Sequence, residues 1–137
     1  MKNVFIIFCS VVIFVSCTKS NDTSTTPGTD TVPGGTIIAT GNFTSGVHTT
    51  SGIAKVYNDG GTKRLWLENF KTDNGPDLKV YLAKDINAST FINISNLRSV
   101  NGNQNYDISG MPDLAQYKYV LVWCQQFGVL FGSALIQ

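Results

Sequence analysis

The sequence predicts an all-β fold, an antiparallel β-sandwich or small barrel of about eight short strands with at most one short helical turn. Two observations predict it. From Thr36 onward, apolar and polar side chains alternate with the two-residue period of β-strands. Turn signals rich in glycine, asparagine and proline separate these runs every several residues. Only the stretch "MPDLAQY", Met111–Tyr117, is compatible with a helical turn, with Pro112 in its first turn.

The first clear hairpin lies in the stretch from residue 52 to residue 70. The run "GIAKVYN", Gly52–Asn58, places Ala54 and Val56 on one face of a strand and three other side chains on the opposite face. The following "NDGGT" predicts a hairpin turn, because its two glycines adopt positive φ at little cost. The run "RLWLENF", Arg64–Phe70, is then the partner strand.

The next elements follow a second turn, "TDNGPD", in which Pro76 fixes the backbone. In the strand "LKVYLA", Leu78–Ala83, we expect the side chains of Leu78, Val80 and Leu82 to point inward and those of Lys79 and Tyr81 outward. Further strands are predicted at Thr36–Phe43, Ile92–Val100, Asn105–Ile108, Lys118–Gln125 and Val129–Ile136. We expect Asn101–Asn103 to turn one hairpin and Gly128 to help turn the last.

The start of the chain has the pattern of an export signal. Lys2 precedes an apolar run of about 12 residues, which is too short to cross a bilayer because a spanning helix needs about 20. The residues "FVSC", Phe14–Cys17, resemble a bacterial lipobox, so we predict a signal peptide over residues 1–16 and lipidation of Cys17. The alternative is an ordinary signal peptide, cut near Cys17 without lipid attachment.

The chain after Cys17 predicts a tether and one domain. Residues 17–35 are predicted to be the lipid anchor and a flexible spacer, because the polar stretch after Cys17 has too little apolar surface to fold. Residues 36–137 are predicted to form one β domain. Acyl chains on Cys17 would hold the protein on the membrane of the bacterial cell envelope. The next residue is Thr18 and not the aspartate of inner-membrane retention, so we predict the outer membrane. The triplet "DTV" after Thr29 resembles an O-glycosylation acceptor of Bacteroidetes-type bacteria.

Charge and motifs exclude several classes of function. Basic and acidic side chains are nearly balanced in the domain, which argues against a nucleic-acid partner. No nucleophile elbow, phosphate-binding loop or dinucleotide fingerprint occurs. The single histidine of the chain is too few for blue copper, which needs two. Together with the one cysteine of the mature domain, it also gives too few ligands for structural zinc. Asp77, His48 and Glu68 are the only acid–base candidates, so catalysis is disfavoured although an enzyme is not excluded.

The cysteines are the residues most open to a chemical role. Cys9 lies in the leader and Cys17 in the lipobox, so Cys124 is the only thiol left in the mature domain and no internal disulfide is expected. Cys124, His48 and Met111 are its candidate cofactor ligands, because Cys, His and Met bind haem iron and soft sulfur binds Cu(I). The alternative is core packing, since buried cysteine behaves as a small apolar residue and Cys124 shares a strand face with two valines.

Three stretches of the chain resemble the DM-thirteen domain family, named for electron transfer. They are "GNFTSGVHTTSGIAKVY", "RLWLENFKTDNGPDLKVYLA" and "YKYVLVWCQQFGVLFGSALI", and together they cover nearly all of residues 41–136. The motif residues that carry the resemblance are Phe70, Gly75, Pro76, Asp77, Trp123, Cys124, Phe127 and the pair Phe131-Gly132.

The resemblance implies an extracytoplasmic β domain with a redox role. The hallmark cysteine of the family falls on Cys124, which would act as a bare thiol or as a ligand to a prosthetic group such as haem. A redox partner protein is then expected. Two hypotheses follow. The first is a tethered redox or cofactor-binding module. The second is a non-enzymatic binding or adhesion module in which Cys124 only packs the core.

Overall fold

The computed structural model describes residues 30–137, which form a nearly closed barrel of eight antiparallel strands. This confirms the predicted fold class. The strands are β1 (Thr36–Ser45), β2 (Thr50–Asp59), β3 (Thr62–Thr72), β4 (Leu78–Ala83), β5 (Phe91–Asn96), β6 (Asn101–Ile108), β7 (Tyr119–Cys124) and β8 (Val129–Leu135). Within this described part there is no helix, and therefore none that is long and apolar enough to span a membrane.

The strands form one sheet in the order β5-β4-β7-β8-β1-β2-β3-β6. The long strand β1 curves the sheet, because its first part pairs with β2 and its last three residues pair with β8. The predicted hairpin between β2 and β3 is confirmed, with Gly60 and Gly61 at positive φ in its turn. Gly128, also at positive φ, turns the β7–β8 hairpin as predicted. The sheet ends at β5 and β6, which face each other across a seam.

The interior of the barrel is filled by the alternating apolar residues of the strands. On β4, the side chains of Leu78, Val80 and Leu82 point into this core, as the alternation predicted. The core is a single cluster that also contains Ala54, Val56, Leu65, Leu67, Phe70, Tyr106, Val120, Val122, Phe131 and Ala134. Burial of this apolar surface is the dominant stabilising term, because the described residues contain no disulfide.

Tyr81 points outward as predicted, yet it is almost completely buried. It belongs to a second, smaller cluster on the outer face of β4 and β7, with Ala83 and Leu121. The ring of Phe91 stacks on that of Tyr81, with 4.1 Å between the ring centroids. Burial raises the pKa of Tyr81. The alternation of side chains therefore predicted the direction in which Tyr81 points. The burial of Tyr81 depends on packing between neighbouring strands, which alternation does not predict.

The prediction that Asn101–Asn103 turns a hairpin was wrong. β5 pairs with β4 and β6 pairs with β3, so the strands on either side of this stretch do not pair with each other. The connection is bound to other elements instead. The backbone N–H of Leu97 donates to the carbonyl of Leu78, and that of Thr72 donates to the carbonyl of Val100. This connection is therefore held by backbone hydrogen bonds to Leu78 and Thr72, and no strand ladder joins β5 to β6.

The stretch predicted as a helical turn forms one turn and does not continue. The carbonyl of Asp113 accepts hydrogen bonds from the backbone N–H groups of Gln116 and Tyr117. The carboxylate of Asp113 accepts from the N–H of Ala115, as an N-terminal cap does. The segment then enters β7, where strand pairing replaces helical hydrogen bonds.

Candidate functional site

Cys124 lies at the end of β7 and is completely buried, with an exposed fraction of 0%. Its strand neighbours are Leu78 on β4 and Val129 on β8. The side chain belongs to the core cluster, on the same face of the strand as Val120 and Val122. It is the only free cysteine among residues 30–137. The sulfur is therefore surrounded by apolar side chains and is closed to solvent.

His48 lies at the same end of the barrel, in the connection between β1 and β2. Its Nδ1 atom is 3.1 Å from the carboxylate oxygen Oδ2 of Asp73, and the side chain is about 40% exposed. The imidazole lies against the ring of Phe131, with 3.9 Å between the centroids and 30° between the planes. Phe131 is itself part of the core cluster that contains Cys124. The single aromatic ring of Phe131 therefore connects the partly exposed imidazole to the core around the thiol.

The loop that carries His48 is held in place by hydrogen bonds to β8 and β3. The backbone N–H of Gly46 donates to the carbonyl of Phe131 at 2.8 Å. The hydroxyl of Thr50, which is buried, donates to that same carbonyl at 2.9 Å and lies 2.9 Å from the hydroxyl of Thr72. Buried polar groups are costly unless they are paired, so this network fixes the loop and with it the position of the imidazole.

Two motif glycines permit the close packing of this end. A Cβ atom on Gly75 would lie 2.9 Å from side-chain atoms of both Leu78 and Phe131. A Cβ atom on Gly132 would lie 2.4 Å from the Cβ atom of Thr50. Contacts this short are essentially never found for real Cβ atoms, so a side chain at Gly132 would displace Thr50, and one at Gly75 would displace the ends of the Leu78 and Phe131 side chains. These motif residues hold Phe131 against its neighbours.

The motif residues of the β3–β4 connection line a pocket of about 470 Å³. Gly75, Pro76 and Asp77 form one wall, and the connection between β5 and β6 forms the other. The carboxylate of Asp77 pairs with Lys79 at 2.7 Å. The carbonyl of Asp77 accepts a hydrogen bond from the N–H of Gln125. The pocket therefore adjoins the end of β7, although Cys124 itself does not line it.

Met111 is not brought together with Cys124 and His48. It follows β6 at the opposite end of the barrel, with an exposed fraction of 63% and a positive φ of 44°. The six residues of β7 separate the two ends by roughly 15–20 Å. In the described part of the chain, no group of three or more His, Cys, Asp or Glu side chains could hold a metal ion. Cofactor binding by Cys124, His48 and Met111 stays a prediction.

The last two motif residues face outward. Phe127, at the tip of the β7–β8 hairpin, has an exposed fraction of 65%. Trp123 is half-buried against the outer cluster that contains Tyr81. The predicted leader and the lipidation site Cys17 lie outside the described residues.

The sequence reasoning missed the partners of His48. Asp73 lies 25 residues away, inside a stretch that was explained as a turn, and Thr50 gave no signal of burial. Phe131 was singled out as a motif residue, but its contact with the imidazole depends on the pairing of β1 with β8. A contact of this kind follows from tertiary structure and has no local signature.

Comparison with known proteins gives a match to a family. No curated protein and no solved structure matches the chain significantly. The model of one family, described as Electron transfer DM13, matches residues 42–136. That range includes all eight strands except the first part of β1, both ends of the barrel and every motif residue named above. The chain therefore belongs to the Electron transfer DM13 family.

Proposed function

We propose that this protein is a lipid-anchored component of the bacterial cell envelope, at the outer membrane, whose β domain takes part in electron transfer through the thiol of Cys124. The family supports a role related to electron transfer. The leader and the lipobox-like residues before Cys17 support the envelope location.

The observation that carries the redox proposal is the arrangement of the Cys124 end. The thiol lies in the core, and the imidazole of His48 covers Phe131 from outside. The one histidine and the one thiol of the domain thus belong to the same end, with a single ring between the imidazole and the core. Displacement of Phe131 and His48 would expose part of the core cluster to which Cys124 belongs.

The resemblance implies haem, and the ligand chemistry of Cys124, His48 and Met111 adds copper, but the closed barrel fits neither. Thiolate and imidazole are suitable donors for both. However, the sulfur of Cys124 has no exposed surface, and Met111 is at the other end. We therefore assign the redox change to the thiol and derive no step through a bound metal or haem.

A glutathione titration of the full chain tests this proposal. The Cys124 thiolate would attack glutathione disulfide, forming a sulfur–sulfur bond to one glutathione and releasing the other as a thiolate. Peptide mass spectrometry reads the modification at Cys124 separately from Cys9 and Cys17. We expect a mixed disulfide that forms and is reversed by reduced glutathione under native conditions. Modification only after denaturation would refute the redox role.

Lipidation is tested separately, by the mass of the protein isolated from bacterial membranes. We expect acyl chains on an N-terminal cysteine corresponding to Cys17, and loss of membrane attachment in Cys17→Ala. A soluble, unmodified product of the unaltered chain contradicts the anchoring part of the proposal and leaves the redox part standing.

A second candidate function is non-enzymatic binding, and one observation favours it. Val47 and Phe127 are each about two-thirds exposed at the Cys124 end, while the thiol is sealed. Exposed apolar groups of this size commonly mark contact surfaces. If this surface binds a partner, Phe127→Ser will reduce capture of an envelope protein by the full chain, and Cys124→Ala will not.

A further inference from the structure

We propose that Asp30 is a latch that closes the seam between β5 and β6, so that the residue where the N-terminal segment joins the barrel controls opening of the sheet. This inference goes beyond the proposed function and does not depend on the chemistry of Cys124. It rests on the contacts that replace a strand ladder along the seam.

The seam is the place where strand pairing around the described barrel is interrupted. β5 and β6 are the two edges of the sheet, and they are not paired with each other. Unpaired strand edges leave backbone donors and acceptors without partners, and proteins cover them. Here the connection that follows β5 supplies part of the cover. The side chain of Gln104 accepts from the N–H of Ser99 at 3.1 Å and donates to the carbonyl of Ser99 at 2.8 Å.

Tyr106 extends this cover along the seam. Its hydroxyl accepts a hydrogen bond from the backbone N–H of Arg98 at 3.2 Å and donates one to Gln104 at 2.6 Å. The guanidinium of Arg98 lies over the ring of Tyr106, 4.8 Å from its centroid. Side chains of β6 are thus bound to the connection that follows β5, beside the unpaired edge of β6.

Asp30 completes the bridge at Asn105, in the second half of β6. One oxygen of the Asp30 carboxylate accepts a hydrogen bond from the backbone N–H of Asn105 at 2.8 Å. The same oxygen is bound by the guanidinium of Arg98. Arg98 also donates to the carbonyl of Asn105. Asp30 and Arg98 together therefore satisfy both backbone groups of Asn105, as a neighbouring strand would.

The position of Asp30 in the chain connects the N-terminal segment to the edge of β6. Asp30 is 75 residues from Asn105 in sequence, and only five residues lie between it and the start of β1. Thr36 at the start of β1 pairs with Asn58 on β2, and Asp30 is bound to β6. The segment from Asp30 to Gly35 therefore reaches from the start of β1, past β2 and β3, to the edge strand β6. The buried Pro33 docks this segment. Release of Asp30 therefore frees the edge of β6.

An ordinary exposed ion pair contributes little to stability, so the contact of Asp30 has to be distinguished from such a pair. The pair of Arg64 with Asp107 is such a case, since its charged atoms are 3.5 Å apart and Asp107 is largely exposed. Asp107 is on the same strand as Asn105 but does not contact the seam. Substitution of Asp107 therefore provides a matched control. It removes a carboxylate that pairs with an arginine, but it does not remove the hydrogen bond to the backbone of Asn105.

Hydrogen exchange of the full chain, measured by mass spectrometry, tests the latch. We expect Asp30→Ala to accelerate exchange in peptides from residues 91–106 by about fivefold, the factor that corresponds to roughly 1 kcal/mol. Peptides from the β2–β3 hairpin should be unchanged, and Asp107→Ala should leave both regions unchanged. Equal acceleration in both regions, no acceleration, or the same effect from Asp107→Ala would each overturn the proposal.

A second variant separates the charge of Asp30 from its hydrogen bond. Asp30→Asn keeps an acceptor oxygen for the N–H of Asn105 but loses the charge opposite Arg98. We expect it to accelerate exchange at the seam less than Asp30→Ala does. An effect of Asp30→Asn equal to that of the Ala variant contradicts a backbone-capping role, because the charge alone would then account for the contact.

Discussion

Substitution of Cys124 by serine is the perturbation whose effect follows most directly from the structure. The sulfur is completely buried in an apolar cluster, between neighbours Leu78 and Val129 on the adjacent strands. A serine hydroxyl at this position would have no hydrogen-bond partner among these aliphatic side chains. Burying such a group costs about 1–3 kcal/mol. The smaller oxygen also leaves unfilled space, for which about 1 kcal/mol more is expected.

The expected total for Cys124→Ser is therefore about 2–4 kcal/mol of unfolding free energy. For a domain of this size, each kcal/mol lowers the melting temperature by roughly 4–8 °C. Urea denaturation followed by tryptophan fluorescence measures the change in unfolding free energy. Cys124→Ala should cost less than Cys124→Ser, because alanine leaves unfilled space but introduces no polar group.

A matched control is available on the same face of β7. Val122 is also completely buried, and Val122→Thr introduces a hydroxyl without changing the shape of the side chain. We expect its cost to be comparable to that of Cys124→Ser. A Cys124→Ser protein that is as stable as the unaltered chain would refute the reasoning, because the thiol would then lie in a polar or hydrated environment.

Three further predictions follow from the packing and the titration of particular residues. Gly132→Ala should destabilise the fold by about 1–3 kcal/mol in urea denaturation, because the added Cβ meets Thr50 at 2.4 Å, and unchanged stability would contradict this close contact. Burial raises the pKa of Tyr106, so stability from its protonated hydroxyl is complete below the ordinary tyrosine pKa of about 10 and is lost at higher pH. Tyr106→Phe should therefore flatten the decline of unfolding free energy above that pH, and an equally steep decline would count against it. Met111→Leu should leave the glutathione reaction of Cys124 unaltered, because Met111 is at the opposite end, and a changed reaction in the mass spectrum would revive Met111 as a ligand.

The strands could be predicted from the sequence because their information is local. Alternation placed Val80 and Leu82 in the core, and paired glycines located the β2–β3 turn. The failure at Asn101–Asn103 has a physical cause, since a local turn signal does not specify which strands will pair across it. β5 and β6 each find a partner elsewhere in the sheet, and side chains then fill the space between them.

The candidate site was only partly predictable for a related reason. The family motif identified Cys124 and Gly75, and the structure gives Gly75 a steric role against Phe131. The burial of the thiol and the pairing of His48 with Asp73 depend on contacts between residues far apart in sequence. The set of Cys124, His48 and Met111 was chosen by ligand chemistry alone, which carries no information about distance.

The oxidation state of Cys124 in intact envelopes tests the proposed electron-transfer role most directly. Cells that make the full chain are exposed briefly to an oxidant and then to a reductant, thiols are trapped in acid, and the peptide containing Cys124 is quantified by mass spectrometry. We predict that a measurable fraction of Cys124 is oxidised and then returns to the thiol. A Cys124 that stays reduced throughout, while other envelope thiols respond, would contradict the redox role and leave the sulfur as a core side chain.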